Sequence, residues 1–307
     1  MRSDPAGAPT ISFADRLADG VERKRSQLVV GLDPVVDLLP VELRGEAQSG
    51  RAAAAGAVER FCKGIVDAVA PYVVAVKPQA AFFEALGSDG WRALEAVSAY
   101  ARDAGLLVIA DGKRCDIGST ARAYAAAFLE PRGDEPPLAD ALTVSPYLGR
   151  DSIDPFLAAC RRDGAGLFLL VRTSNAGAAE LQDAALADGR PVWRHVAELV
   201  DAWGEDLVGA RGLSSVGAVV GATVPRIVGD ARRAMPRAII LLPGVGAQGA
   251  TPADVARAFT SGPSSALVNA SRSVIYAYRD APAEDWRSVA GAEAARLAAA
   301  VWAAAGW

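Results

Sequence analysis

Residues 106–116 read LLVIADGKRCD, five apolar residues followed by a hexapeptide that holds two acids and a lysine. The apolar run predicts a buried strand, because it is short and continuous and ends in polar residues. Side chains alternate along a strand, so Asp111 and Lys113 are expected to point the same way at its carboxyl end. A carboxylate beside an ammonium at that position indicates a site that handles protons.

The use of lysine in this chain supports that interpretation. Of the 32 lysine and arginine residues, only four are lysine, at positions 24, 63, 77 and 113. Arginine stays charged at any accessible pH, whereas the more compact lysine can give up a proton. Lys77 and Lys113 both stand at predicted strand ends, which favours a functional role for the two.

Eight short apolar runs recur along the chain, each separated from the next by enough residues for a helix. They lack the alternating polarity of half-exposed strands, which favours parallel strands buried on both faces. Eight such units in 307 residues predict an α/β fold of the (β/α)8 or TIM barrel type, for which about 250 residues is typical. The runs are 28–32, 73–76, 106–110, 141–144, 167–171, 216–220, 238–242 and 266–268.

The residues in excess of a typical barrel are assigned to an extra N-terminal helix and to long insertions. Residues 12–25 predict that helix, because a serine cap precedes one apolar face. Neither a linker nor a short repeat interrupts the sequence, so a single barrel domain over residues 1–307 is expected. The two insertions and the last helix are expected around 34–60, 176–212 and 284–302.

Composition argues against several classes of protein. The net charge is −4 and no basic block occurs, so no nucleic-acid partner is expected. No apolar run approaches the roughly 20 residues of a membrane-spanning helix, so no membrane partner is expected. Three scattered cysteines fit a reducing compartment, and a cytoplasmic location is expected.

Charged residues follow the first three predicted strands, where a (β/α)8 barrel carries its active site. Asp33 follows the first strand, Lys77 the second, and Asp111, Lys113 and Asp116 the third. These five charges are expected to meet in one cleft. The alternative is a buried ion-pair network that only holds the barrel together, but such networks rarely improve on a hydrophobic core.

A glycine-rich segment after the seventh run predicts a phosphate site. Residues 243–249 read PGVGAQG, and Arg272 follows the eighth run. Glycine lets backbone N–H groups approach an anion, and arginine binds phosphate bidentately. Barrels often bind phosphate after strands seven and eight, so the two features are expected to act together.

Two other features carry less information. Thr173, Ser174 and Asn175 offer hydroxyl and amide groups for a polar ring or a sugar, although on these residues alone a helix N-cap is the better explanation. His195, the only histidine, falls in a predicted outer helix, which argues against Ser-His-Asp and Cys-His catalysis. No cluster of His, Cys and carboxylate residues has zinc spacing, so no metal site is expected.

Two motifs together resemble those of the orotidine 5′-phosphate decarboxylases. Residues 111–120 carry Asp-x-Lys-x-x-Asp-Ile-x-x-Thr, and residues 243–249 resemble the phosphate segment of the same family. The resemblance extends from residue 29 to about residue 277. The segments at 31–34 and 76–78, with the long insertions, are most similar to the longer bacterial (type 2) subfamily.

The resemblance implies decarboxylation of orotidine 5′-monophosphate to uridine 5′-monophosphate and CO2, the last step of de novo pyrimidine nucleotide synthesis. It also implies a homodimer with shared active sites and no cofactor. Lys113 would be the general acid, with Asp111 beside the scissile carboxylate and Lys77 and Asp116 completing a charge tetrad. The other subunit would supply Asp116 together with Ile117 and Thr120.

The resemblance also assigns the residues that bind substrate. Asp33 would bind the ribose and Ser174 the pyrimidine. The phosphate would be held at the segment that begins with Pro243, by Gln248 and by Arg272.

Three alternatives stay open at this point. A sugar-phosphate lyase of the same superfamily would use Mg²⁺ and want a further carboxylate after the first or second strand, where this chain has Lys77. A non-catalytic barrel that binds nucleotide phosphates would have no need of Lys113. A Schiff-base aldolase is disfavoured, because flanking carboxylates keep a lysine protonated and poorly nucleophilic.

Overall fold

A computed structural model of the protein describes residues 10–245, 249–281 and 284–307. Eight parallel strands close into a barrel in chain order, with the eighth strand paired to the first. Helices follow the strands around the outside, which confirms the predicted (β/α)8 barrel. The strands are β1 (Leu28–Leu32), β2 (Ala75–Pro78), β3 (Leu107–Arg114), β4 (Ala141–Val144), β5 (Gly166–Arg172), β6 (Ser214–Val220), β7 (Ala238–Pro243) and β8 (Ala266–Ala270).

Both predicted insertions contain helices, and the predicted last helix is present. The first insertion holds α2 and the start of α3, the second holds α8 and α9, and α13 ends the chain. No helix in the described ranges is long and apolar enough to cross a membrane. The helices are α1 (Phe13–Lys24), α2 (Val41–Ala47), α3 (Arg51–Val69), α4 (Ala80–Glu84), α5 (Gly87–Asp103), α6 (Gly118–Leu129), α7 (Arg150–Asp163), α8 (Ala178–Gln182), α9 (Val192–Trp203), α10 (Pro225–Ala234), α11 (Pro252–Val255), α12 (Arg272–Ile275) and α13 (Trp286–Ala305).

The predicted N-terminal helix is present as α1, and it closes the amino-terminal end of the barrel. The Ser12 hydroxyl accepts a hydrogen bond from the backbone N–H of Asp15 at 3.1 Å, which caps the first turn. The apolar face of α1 packs into the barrel interior, where the Phe13 ring meets the Phe168 ring of β5 edge-on with centroids 5.9 Å apart. The opposite, carboxyl-terminal end of the barrel therefore remains open.

Interior side chains change from apolar to polar along the strands. Four residues of the interior core are Ala75, Ile109, Ala141 and Leu267. Two positions further along each strand, and so on the same face, stand Lys77, Asp111, Thr143 and Asn269, all of them buried. The alternation of the barrel strands therefore gathers these four polar side chains into one layer at its open end.

Several strand boundaries differ from the sequence expectation, and the largest differences are in the second and third strands. The second strand begins at Ala75 rather than residue 73, and the third continues to Arg114 rather than ending at residue 110. Pairing with a neighbouring strand depends on backbone hydrogen bonds and not on side-chain hydrophobicity, so β3 extends through its polar residues. Its pairing with β4 shifts register between Ala110 and Arg114, which places an irregularity at Asp111 to Lys113.

Candidate active site

The carboxylate of Asp111 is the centre of the polar layer and accepts hydrogen bonds on both oxygens. Its Oδ1 accepts from Lys113 Nζ at 2.6 Å and from Thr143 Oγ1 at 2.9 Å. Its Oδ2 forms an ion pair with Lys77 Nζ and accepts from Gln79 Nε2 at 3.2 Å. Four donors fill the acceptor capacity of a carboxylate, so the position of this group is tightly determined.

The two lysines keep Asp111 ionised despite its burial. Burial alone would raise the pKa of Asp111, but the charges and hydrogen bonds of Lys77 and Lys113 hold that pKa well below its usual range. Burial alone would lower the pKa of Lys77, but the charges of Asp111 and Asp33 and the hydrogen bond to Asp111 raise it. The buried pair is therefore an ammonium and a carboxylate at neutral pH.

Lys113 is held in an unusual backbone conformation at the irregular end of β3. Its φ is 44°, in the left-handed region that residues other than glycine rarely adopt. Its side chain is 45% exposed, in contrast to the buried Lys77. Strained backbone of this kind is concentrated at functional sites, where the surrounding structure enforces it. Here it leaves an ammonium beside Asp111 with access to a cavity.

Two cavities meet at this cluster of charges. One, of about 210 Å³, extends toward the ends of β7 and β8 and is lined by Asp33, Asn269 and Arg272. The other, of about 380 Å³, extends toward β5 and β6 and is lined by Lys113 and Ser174. Both cavities are also lined by Lys77, Asp111 and Pro243. The two therefore form one groove with the ion pair at its middle.

Two residues that line the smaller cavity carry buried polar atoms without a partner among the described residues. Asp33 Oδ1 and Asn269 Oδ1 are buried and have no hydrogen-bond partner within the described parts of the chain. A Cβ at position 31 would overlap the Ser271 hydroxyl and approach Asp33, so glycine is required there. Buried acceptors without partners cost free energy, so a ligand with hydrogen-bond donors would be favourable in this cavity.

The larger cavity has one polar wall and one apolar wall. Leu170, Val219 and Leu241 provide the apolar wall. The polar wall is ordered by Gln182 of α8, whose Oε1 accepts from Thr173 N at 2.8 Å and whose Nε2 donates to Thr173 Oγ1 at 2.9 Å. Such a cavity suits a flat heterocycle, with apolar contact to its faces and hydrogen bonds to its edge.

An N-cap does not explain residues 173–175. The N-cap of α8 is Gly177, and no side chain makes a cap hydrogen bond there.

His195 lies on the outer helix α9, as predicted. Within the described ranges, no three His, Cys, Asp or Glu side chains are grouped so that they could hold a metal ion.

The structure brings seven of the expected site residues to the groove and leaves three outside it. Near the N-terminus of α6, the Asp116 carboxylate accepts a hydrogen bond from Ile117 N at 2.8 Å. Neither Asp116 nor Ile117 nor Thr120 lines either cavity, so one chain by itself does not unite all five expected charges. The reason is that β3 ends at Arg114 and the chain then turns away into α6. The residues at the groove are Asp33, Lys77, Asp111, Lys113, Ser174, Pro243 and Arg272.

The expected phosphate segment is only partly within the described residues. Gln248 lies outside them. On either side, Gly244 has a φ of 108° and Gly249 a φ of 87°, backbone conformations that favour glycine. Glycine is therefore favoured at positions 244 and 249, next to Pro243 at the edge of the groove.

Sequence reasoning missed four residues that the structure places at the site. Gln79, Thr143 and Asn269 stand at strand ends, and Gln182 comes from the second insertion. The alternation of β4 and β8 could have identified Thr143 and Asn269, since each lies two residues beyond an interior residue. No sequence signal identifies Gln182, because its position depends on how the insertion folds back over β5.

Comparison with known proteins identifies the family. Residues 26–289 match the model of the "Orotidine 5′-phosphate decarboxylase / HUMPS family". A protein of Rhodopirellula baltica named orotidine 5′-phosphate decarboxylase is 48% identical over 274 residues, which cover 88% of this chain and 90% of that protein. A protein of the same name from Roseiflexus castenholzii is 45% identical over 273 residues, 88% of this chain and 91% of that protein.

A solved structure agrees with these sequence matches. The OMP decarboxylase of Leishmania donovani superposes with a TM-score of 0.74 at 32% identity, over 96% of this chain and 99% of that one. The family match, the relatives and the barrel with its Asp-x-Lys-x-x-Asp strand end all lead to one assignment. The chain belongs to the orotidine 5′-phosphate decarboxylase family.

Proposed function

We propose that this protein decarboxylates orotidine 5′-monophosphate to uridine 5′-monophosphate and CO2, the last step of de novo pyrimidine nucleotide synthesis. The observation that carries the proposal is the Lys77–Asp111–Lys113 array at the middle of a two-part groove, in a chain of this family. A sugar-phosphate lyase would want a carboxylate where this chain has Lys77. That position instead carries a buried cation paired with Asp111.

The groove accommodates the three parts of the nucleotide in order. Arg272 in the smaller cavity binds the phosphate bidentately, together with the segment that includes Pro243 and Gln248. Asp33, whose buried Oδ1 has no partner among the described residues, accepts hydrogen bonds from the ribose hydroxyls. The pyrimidine lies in the larger cavity against Ser174, which brings its C6 atom toward Lys113.

Lys113 carries the chemistry. The bond between C6 and the carboxylate carbon breaks, CO2 leaves, and the electron pair remains on C6. The Lys113 ammonium stabilises that negative charge as it develops and then gives its proton to C6. Because the side chain is 45% exposed before substrate binds, solvent can restore the proton afterwards. No step needs a cofactor or a metal ion.

A homodimer with shared active sites is part of the same proposal. Three large apolar residues, Ile117, Tyr147 and Leu148, are exposed on this chain. Ile117 is 56% exposed and follows β3, and Tyr147 is 75% exposed and, like Leu148, follows β4. Exposed apolar residues at neighbouring strand ends favour an interface beside the groove. A partner docked there would supply Asp116, Ile117 and Thr120 to the groove of the first chain.

The remaining features of the proposal concern the whole chain. It forms a single barrel domain of the longer bacterial subfamily and acts in the cytoplasm. Support for that location comes from its three cysteines, Cys62, Cys115 and Cys160, all of which are free thiols.

The decisive experiment is an ultraviolet assay of orotidine 5′-monophosphate decarboxylation with EDTA present. We expect turnover by the wild type and none above background for Lys113→Ala. Lys63→Ala is the matched control, because Lys63 is paired with Glu59 on the outer helix α3 and should leave activity unchanged. Full activity of Lys113→Ala, or a strict need for Mg²⁺, would contradict the proposal.

A further inference from the structure

Thr143 of β4 forms hydrogen bonds to both Asp111 and Lys113. Its hydroxyl donates to Asp111 Oδ1 at 2.9 Å and accepts from the backbone N–H of Lys113 at 2.9 Å. The residue is 1% exposed and lies in the polar layer of the barrel interior. It is thus a direct link between β4 and the charged end of β3.

The direction of both hydrogen bonds is determined by chemistry. An ionised carboxylate can only accept, so the single hydroxyl proton of Thr143 must point at Asp111. A backbone N–H can only donate, so Lys113 uses a lone pair of the same oxygen. The hydroxyl has no freedom to rotate without breaking one of these bonds, and it therefore orients the carboxylate and the lysine backbone together.

The backbone of Lys113 needs such a partner. The register shift between β3 and β4 interrupts regular pairing from Ala110 to Arg114, and Lys113 has a φ of 44° within that interval. Its N–H donates a hydrogen bond to the Thr143 side chain. A left-handed conformation is unfavourable for a residue with a Cβ, so contacts of this kind are required to maintain it.

Packing alone does not explain a hydroxyl at this position. The neighbouring strands β5, β6 and β7 place Leu170, Val219 and Leu241 around the same cavity, and all three are apolar. Valine would fill the space of Thr143 equally well. The hydroxyl is therefore specific to the side of the cavity that faces Asp111 and Lys113.

We propose that Thr143 is a positioning residue for the decarboxylation: it holds the Asp111 carboxylate and the strained Lys113 backbone so that the ammonium faces C6 of the pyrimidine. The inference rests on the proposed function, in which Lys113 delivers the proton. It concerns the geometry of the reacting groups and not substrate affinity, which depends mainly on the distant phosphate and ribose contacts. Small displacements of reacting groups reduce rates strongly, which is why one hydroxyl can matter.

The test compares Thr143→Val and Thr143→Ser with the wild type. For Thr143→Val we expect kcat to fall about 10- to 100-fold, while KM and the Kd for uridine 5′-monophosphate stay within about threefold. Thr143→Ser keeps the hydroxyl and should recover most of the rate. The control is Ser215→Ala, which removes a buried interior hydroxyl that accepts from Ala14 N at the opposite end of the barrel. Its kcat should be unchanged even if its thermal midpoint falls.

The outcomes separate this inference from the proposed function. An active wild type with Thr143→Val at about the same kcat would overturn the inference alone. So would a Thr143→Ser variant as slow as Thr143→Val, or a loss of nucleotide affinity parallel to the loss of rate. A wild type without decarboxylase activity would overturn the proposed function and, with it, this role of Thr143.

Discussion

At the scale of single residues, Asp111 has the most constrained environment in the groove. Two ammonium groups, a hydroxyl and an amide surround one buried carboxylate. Buried ion pairs seldom stabilise a protein more than apolar residues of the same volume would, so this array is not explained by stability. The proposed chemistry does explain it, since that chemistry needs a fixed ammonium beside the cavity.

Removal of the Asp111 charge should destabilise the protein. In Asp111→Asn, Lys77 remains buried without its closest countercharge, and the free energy of unfolding should fall by about 3–5 kcal/mol. Urea denaturation at pH 7 measures this loss. The double variant Lys77→Met/Asp111→Leu should be more stable than Asp111→Asn, because no unpaired charge remains. A single variant as stable as the wild type would contradict the inferred coupling.

The stabilising effect of Asp111 should disappear in acid. Its pKa is lower in the folded protein than in the unfolded chain, where it is about 3.9. The stability that it contributes is therefore present above about pH 4 and is lost as pH falls through the folded-state pKa. The difference in unfolding free energy between wild type and Asp111→Asn should be constant from pH 7 to about pH 5 and shrink below about pH 4. A difference that grows in acid would have the wrong sign.

At the scale of elements, one end of the barrel is closed by packing and the other carries the groove. Helix α1 seals the amino-terminal end with Phe13 and its apolar neighbours. The carboxyl ends of the strands carry the groove, and the irregular end of β3 carries two of its charges. Stability can therefore be changed at one end without contact with the groove residues at the other.

Phe13→Ala should separate stability from activity. The ring is buried against Phe168, and loss of a buried phenylalanine costs about 3–5 kcal/mol. Below the lowered thermal midpoint, kcat should match the wild type. Ile11→Ala is the control, because Ile11 is 60% exposed and its truncation should change stability by less than about 0.5 kcal/mol. A lower kcat in folded Phe13→Ala would argue against this separation of the two ends.

At the scale of the whole molecule, a single chain brings together only three of the four residues of the expected tetrad. Lys77, Asp111 and Lys113 are in contact, whereas Asp116 bonds to Ile117 at the start of α6. The exposed apolar residues beside that segment are the physical basis for the proposed interface. In the proposed dimer, the complete site would be formed by two chains and not by one barrel alone.

Mixing two inactive variants tests that proposal. In the proposed dimer, each site takes Lys113 from one chain and Asp116 from the other. A dimer of one Asp116→Asn chain and one Lys113→Ala chain should therefore contain one intact site and one site that lacks both residues. With random pairing, half of the dimers are mixed, and about a quarter of wild-type activity should return. Each variant alone gives the baseline after the same unfolding and refolding. A mixture no more active than its components would count against shared sites.

The local sequence pattern was sufficient to predict the barrel, the groove and the contact between Asp111 and Lys113. Strands buried on both faces must be apolar throughout, so eight such runs separated by helix-length segments predict a (β/α)8 barrel. Alternation along one strand places Asp111 and Lys113 on one face, and the 2.6 Å bond between them confirms it. These features depend on neighbours in the chain, and a single sequence contains that information.

Only the tertiary structure decided which distant groups complete the site. Thr143 is 32 residues from Asp111 in the chain, and their contact depends on the shifted register of β3 against β4. Gln182 reaches the larger cavity because an insertion folds back over β5. Asp116 stands next to the charged strand in sequence yet outside the groove, because β3 ends before it. Closure of the barrel determines these distances, and no local pattern contains them.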